Sequence, residues 1–184
     1  MKYSSFFSRR FSWLTVLAVI LLLPSCVNDD DPSAQWALSV GDTLPPFSVT
    51  LNDGRTISAQ GLRGKTAVIV FFNTTCSDCQ KELPVVQQFY EEFKDDADVE
   101  ILAIAREEDA SDIYAYWQKN SLTIPWSPQP DRTIYNLFAT SVIPRIFFVN
   151  PLGVITAAFG DKDMPDLQTL QEALLTARQN PDSI

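Results

Sequence analysis

Thr66-Ala67-Val68-Ile69-Val70-Phe71-Phe72-Asn73-Thr74-Thr75-Cys76-Ser77-Asp78-Cys79 joins an uninterrupted apolar run to a pair of cysteines. Leu83, Val86, Phe89, Tyr90 and Phe93 then recur at helical spacing. The first seven residues suit a strand buried on both faces in the middle of a sheet. The spacing after them predicts a helix from about Cys76 to Phe93 with one apolar face. A CxxC motif that floats in a loop serves zinc sites as often as redox sites, but this one sits where a buried strand meets a helix N-terminus. There the unpaired backbone N–H groups and the positive dipole end favour a thiolate over a thiol. Cys79 follows one helical turn later, so the two sulfurs can approach bonding distance. In that arrangement the exposed Cys76 attacks a substrate disulfide and the more buried Cys79 resolves the mixed disulfide.

Working outward, Phe47 to Leu51 and Thr56 to Ser58 flank Asn52-Asp53-Gly54, a hairpin signal in which Asp and Gly supply the positive-φ turn. Val99 to Ala105 reads as a second buried strand. Asp109 to Asn120 places Ile113, Tyr116 and Trp117 on one face of a helix. A loop holding Trp126, Pro128 and Pro130 leads to a shorter helix around Thr133 to Ala139. Ile146 to Val149 and Val154 to Phe159 form an antiparallel pair across Asn150-Pro151-Leu152-Gly153. A last helix has Pro165 in its first turn and Leu167, Leu170 and Leu174 on its inner face. The order hairpin, βαβα, ββα implies an α/β fold with a mixed central sheet covered by helices on both faces.

Composition narrows the chemistry. The chain has 184 residues, 46% hydrophobic and 20% charged, which fits one globular domain. A formal charge of -9 argues against nucleic acid, because phosphate binding needs a basic face. His is absent, which removes Ser-His-Asp triads, papain-type Cys/His pairs, HExxH zinc sites and His-ligated copper or haem. Only Cys26, Cys76 and Cys79 carry thiols, so a zinc site on the CxxC would have to be completed by carboxylates. A purely structural Cys76–Cys79 disulfide would close so small a loop that it constrains the unfolded chain little. The reading needs no metal and no cofactor.

At the N-terminus, Lys2, Arg9 and Arg10 precede an apolar run from Trp13 to Leu23 that ends in Pro24-Ser25-Cys26. That run is short of the roughly 20 residues a membrane-spanning helix needs, so residues 1–25 read as an export signal. Leu23-Pro24-Ser25-Cys26 resembles the lipobox of a bacterial lipoprotein precursor, which implies diacylation of Cys26 and cleavage before it. Residues 26–39, with Asp29-Asp30-Asp31, read as an acidic tether, and residues 40–184 as the folded domain. The acidic run also resembles the surface-export signal of lipoproteins in the Bacteroidetes phylum; a plain solvated linker accounts for it equally well.

From Val40 to Thr176 the sequence resembles the thioredoxin superfamily, and the membrane-tethered TlpA/ResA-type thiol-disulfide oxidoreductases in particular. The residues that carry the likeness are Val40-Gly41-Asp42-Thr43-Leu44-Pro45-Pro46-Phe47, Gly64-Lys65, the CxxC, and Pro84 eight residues after Cys76. Pro144, ahead of Arg145-Ile146-Phe147-Phe148, matches the family's cis-proline beside the CxxC. The resemblance implies a three-layer thioredoxin-like fold with an N-terminal β-hairpin extension. It puts Glu108 at the family's active-site glutamate and assigns it proton transfer at the cysteine pair; an acidic start to the following helix is the other reading of Glu107, Glu108 and Asp109. The partners it implies are client proteins with disulfides or thiols and a transmembrane thiol reductase as electron donor, with the lipid on Cys26 holding the protein in the bacterial envelope, facing the periplasm or the cell surface.

Departures from the pattern concern the same site. Thr75 stands where a Trp is usual, and Val70 replaces the buried carboxylate of cytosolic thioredoxins. Asp78 between the cysteines disfavours a second negative charge, which weakly favours a reductase. Arg145 stands where a Thr is common, which places a cation near the expected sulfur site, to depress the Cys76 pKa or steer an acidic partner; a solvated strand end is the other reading. Two other functions remain: a thiol peroxidase of the peroxiredoxin type, for which Phe72-Asn73-Thr74-Thr75-Cys76 is only a partial match, and a binding module in which the CxxC does no chemistry.

Overall fold

The computed structural model describes residues 37–179; the expected signal segment 1–25, the lipidation site Cys26 and all of the 26–39 tether but its last three residues lie outside the described residues. Two short strands, β1 (Ser48–Thr50) and β2 (Thr56–Ser58), pair antiparallel with Val49 opposite Ile57. Gly54 closes their turn at φ 87°, a conformation that costs a side-chain-bearing residue energy. The central strand β3 (Thr66–Phe72) is buried along its whole length and leads into α1 (Ser77–Phe93), which runs through Pro84. β4 (Val99–Ala105) lies parallel to β3, with Phe72 opposite Ala105, and is followed by α2 (Ala110–Asn120).

After α2 the loop with Trp126 contains a two-residue strand, β5 (Trp126–Ser127), which the sequence reading left in the loop. Two residues are too few to show a period, and the pairing of Trp126 with Ala103 and Ser127 with Ile104 makes the strand. The helix expected over Thr133 to Ala139 is a single 3-10 turn, Tyr135–Leu137. Tyr135 and Phe138 are three apart and both buried, a spacing that a 3-10 turn puts on one side. β6 (Arg145–Val149) runs antiparallel to β3, and β7 (Ile155–Phe159) antiparallel to β6. α3 (Leu167–Arg178) ends the described chain; Asp166 caps it by accepting from the Thr169 N–H at 2.8 Å, so Pro165 stands before the cap instead of in the first turn.

The sheet order is β5-β4-β3-β6-β7, with β3 in the centre. Side chains alternate across it. On one face Phe72 meets Trp117 of α2, and Phe148 meets Phe89 of α1. On the other, Phe71 and Phe147 meet Phe138, Tyr135 meets Phe71, and Phe138 meets Phe47 of the N-terminal segment. Arg55 of the hairpin reaches Glu100 of β4 at 2.7 Å, tying the extension to the sheet. Among the described residues, no helix is long and apolar enough to cross a membrane.

Candidate active site

β3 delivers the chain to the C-terminal edge of the sheet, and α1 starts there with Cys76 as its N-cap. The Cys76 sulfur accepts from the Cys79 backbone N–H at 3.4 Å, one of the donors that a helix N-terminus leaves without an internal partner. Its thiol is directed to the Ile143 carbonyl at 3.6 Å. The Ile143–Pro144 bond is cis, and the Ile143 carbonyl that meets the Cys76 thiol belongs to the loop before β6. Both cysteines are free thiols; Cys76 is partly exposed and Cys79 fully buried. Burial, helped by the hydrogen bond with Cys76, pushes the Cys79 thiol well up from its ordinary value, while the Arg106 charge pulls it the other way.

Glu82 is a residue that the sequence reading missed. It is 3% exposed, lies on the buried face of α1 three residues after Cys79, and its Oε1 meets no donor among the described residues. Burial raises its carboxyl to about 7. Helical residues three apart are neighbours, so Glu82 shares the buried face of α1 with Cys79. The signal was in the sequence: a lone carboxylate on the apolar stripe Cys79-Leu83-Val86-Phe89.

Glu108 takes a different place from either expectation. It is buried and forms an isolated bridge with Gln129, ahead of α2, whose N-cap is Asp109. Its carboxylate accepts from the Thr74 N–H at 2.8 Å and, through the other oxygen, from the Thr74 hydroxyl. Both oxygens thus hold the loop two residues before Cys76. Gln80 adds to this grip by donating to the Thr74 carbonyl at 2.7 Å.

The two modulating charges also change. Asp78 accepts from Lys81 at 2.8 Å in an exposed pair, so a cation offsets the negative charge between the cysteines. Arg145 is 2% exposed and pairs in register with Phe71. Strand alternation therefore sends it to the Tyr135 face, away from α1, where its guanidinium packs on the backbone of Gly160 and feels Asp161 and Asp163. The cation whose charge reaches Cys79 is Arg106, the residue after β4.

The model of the AhpC/TSA family matches residues 40–158. A curated relative, the thiol-disulfide oxidoreductase ResA of Bacillus subtilis, is 27% identical over 159 residues, covering 84% of this chain and 88% of its own length. Among solved structures, a candidate protein disulfide isomerase from Bacteroides thetaiotaomicron superposes with a TM-score of 0.70 at 24% identity, covering 77% of this chain and 94% of that one. The thioredoxin domain of a thiol-disulfide oxidoreductase from Bacteroides vulgatus gives 0.63 at 22%, over 75% and 99%. The fold, with its mixed sheet and N-terminal hairpin, is thus the thioredoxin-like one, and the chain belongs to the AhpC/TSA family.

Proposed function

We propose that this protein is an extracytoplasmic thiol-disulfide oxidoreductase of the ResA type that reduces disulfides in client proteins. The observation that carries the reading is the asymmetry of the pair: Cys76 is accessible at a helix N-terminus with a backbone N–H on its sulfur, whereas Cys79 is sealed beneath it. In the cycle, Cys76 as thiolate attacks a client sulfur, forms a mixed disulfide and expels the first client thiolate. Cys79 then loses its proton, attacks the Cys76 sulfur and breaks the bond to the client. The client leaves as a dithiol with two electrons, and the enzyme is left as the Cys76–Cys79 disulfide.

Because Cys79 holds its proton tightly, the resolving step needs a base. Glu82, one helical turn away and raised to about 7, is matched to that task near neutral pH. Glu108 supports the step by fixing the Thr74 loop, and Pro144 through its neighbour Ile143, whose carbonyl meets the Cys76 thiol. In the same reading, residues 1–25 are a signal peptide, 26–39 a lipidated tether through Cys26, and 40–184 the catalytic domain, recharged by a transmembrane thiol reductase. The test is the equilibrium reduction potential of the pair in defined dithiol/disulfide buffers. A value around -230 mV or lower supports a reductant and one near -120 mV an oxidant. Failure to form the Cys76–Cys79 disulfide at any poise overturns the reading.

A further inference from the structure

Four successive carbonyls of the loop before Pro144 each receive a side-chain donor. Arg132 Nη2 donates to Thr140 at 2.8 Å, Arg106 Nη1 to Ser141 at 2.6 Å, the Tyr135 hydroxyl to Val142 at 2.6 Å, and the Cys76 thiol to Ile143 at 3.6 Å. The two guanidiniums stack on the Tyr135 ring, each 5.2 Å from its centroid, and Glu107 lies 3.7 Å from Arg106 and 3.6 Å from Arg132. Loops are ordinarily the mobile part of a fold, so a run of four held carbonyls marks a segment whose position matters.

Arg106 differs from the other donors because it also holds the opposite wall. Its backbone N–H donates to the Phe72 carbonyl at 2.8 Å, and its own carbonyl accepts from Asn73 Nδ2 at 3.1 Å. Phe72 and Asn73 lead directly into the cysteine loop. One residue therefore links the end of β3, the approach to Cys76 and the loop that covers Cys76. Next to it, Glu107 at φ 57° turns the chain so that Glu108 reaches Thr74. The guanidinium is only partly exposed, and its charge opposes, though less than the other influences on Cys79, the rise that burial imposes on that thiol.

We propose that Arg106 is the positioning residue of the resolving step: it holds the cis-proline loop and the cysteine loop in register and presents a fixed cation to the Cys79 side of the pair. This rests on the oxidoreductase reading. In the resolving step a negative charge develops on the Cys79 sulfur as its proton leaves, the Cys76–Cys79 bond forms, and the Cys76–client bond breaks with release of the client thiolate. A nearby cation favours the Cys79 thiolate, so losing it leaves less of the reactive form. Cys76, whose attack comes first, has the Cys79 backbone N–H on its sulfur instead.

Reaction of the reduced full chain with the chromogenic disulfide DTNB separates the two steps, with Cys26→Ser as the common background so that only Cys76 and Cys79 react. The first thionitrobenzoate released reports attack by Cys76, and the second, first-order and independent of reagent concentration, reports resolution by Cys79. Arg106→Gln is expected to slow the second release about tenfold and the first less than about twofold, with Arg106→Lys recovering most of the rate. Equal slowing of both phases, no slowing of the second, or a Lys variant as slow as the Gln variant overturns the proposal. Should Arg106→Gln fail to fold, Arg106→Lys decides alone: a second phase near the parent rate with retained selectivity for that phase supports it, and tenfold slowing of both phases overturns it. A parent that releases one equivalent only removes the oxidoreductase reading, and the Arg106 assignment with it, before any variant is compared.

Discussion

A carboxyl buried with one oxygen lacking a donor, as at Glu82, stays protonated to higher pH than an exposed one, so below about 7 the folded chain keeps a proton that the unfolded chain releases. Between about 4.5 and about 7, its unfolded and folded values, the native state binds more protons than the unfolded one. Stability is then highest below this window and falls as pH rises through it. Glu82→Gln is expected to remove that fall. Urea unfolding should find the variant more stable than the parent at pH 8, by on the order of 2 kcal/mol, and close to it at pH 5. A constant difference at both pH values would mean that Glu82 is not titrating in this window. The same substitution should slow client reduction at pH 7 by about 10²-fold or more if Glu82 is the base. At this scale the sequence told less than it held: the CxxC was plain, but Glu82 lay unread on an otherwise apolar helix stripe, and the destination of the Arg145 guanidinium depended on which face of β6 it occupied.

Elements were read more securely than residues. β3 and β4 are largely apolar runs, and their buried spans coincide with the expected ones, because the unbroken apolar stretches Ala67 to Phe72 and Ile101 to Ala105 leave little alternative to strands buried within a sheet. α1 likewise begins and ends where its apolar period does. β5 and the 3-10 turn leave no periodic signal in the sequence, because each is shorter than the window over which a period can be counted. The junction between β7 and α3 shows what such windows miss. Gly160 gives room for the Arg145 guanidinium, and a Cβ placed there collides with it. Because Arg145 is buried, it cannot swing into solvent to make room. Gly160→Ala should therefore cost about 1–3 kcal/mol, measured as a fall in Tm of several degrees. A variant as stable as the parent would show that the buried arginine repacks freely.

For the whole molecule, the open matter is the tether that the lipobox-like Leu23-Pro24-Ser25-Cys26 implies. Expressed in a bacterial host fed labelled palmitate, the full chain should incorporate label, and Cys26→Ser should abolish it; label that persists in the variant would move the attachment elsewhere. The domain beyond the tether was legible in outline from its own residues. Periodicity and burial preference are local properties, so the order of the longer strands and helices, the hairpin, and the meeting of the CxxC with a helix N-terminus followed from the sequence by itself, whereas β5 and the 3-10 turn did not. What brings Arg106, Glu108 and Ile143 to one site is the placement of β4 and β6 on either side of β3, which joins the ends of strands far apart in the chain. Only the tertiary structure could decide that, because a strand's residues settle which faces it buries, whereas its neighbours, and hence the charges that meet a sulfur, are set by pairing across the whole sheet.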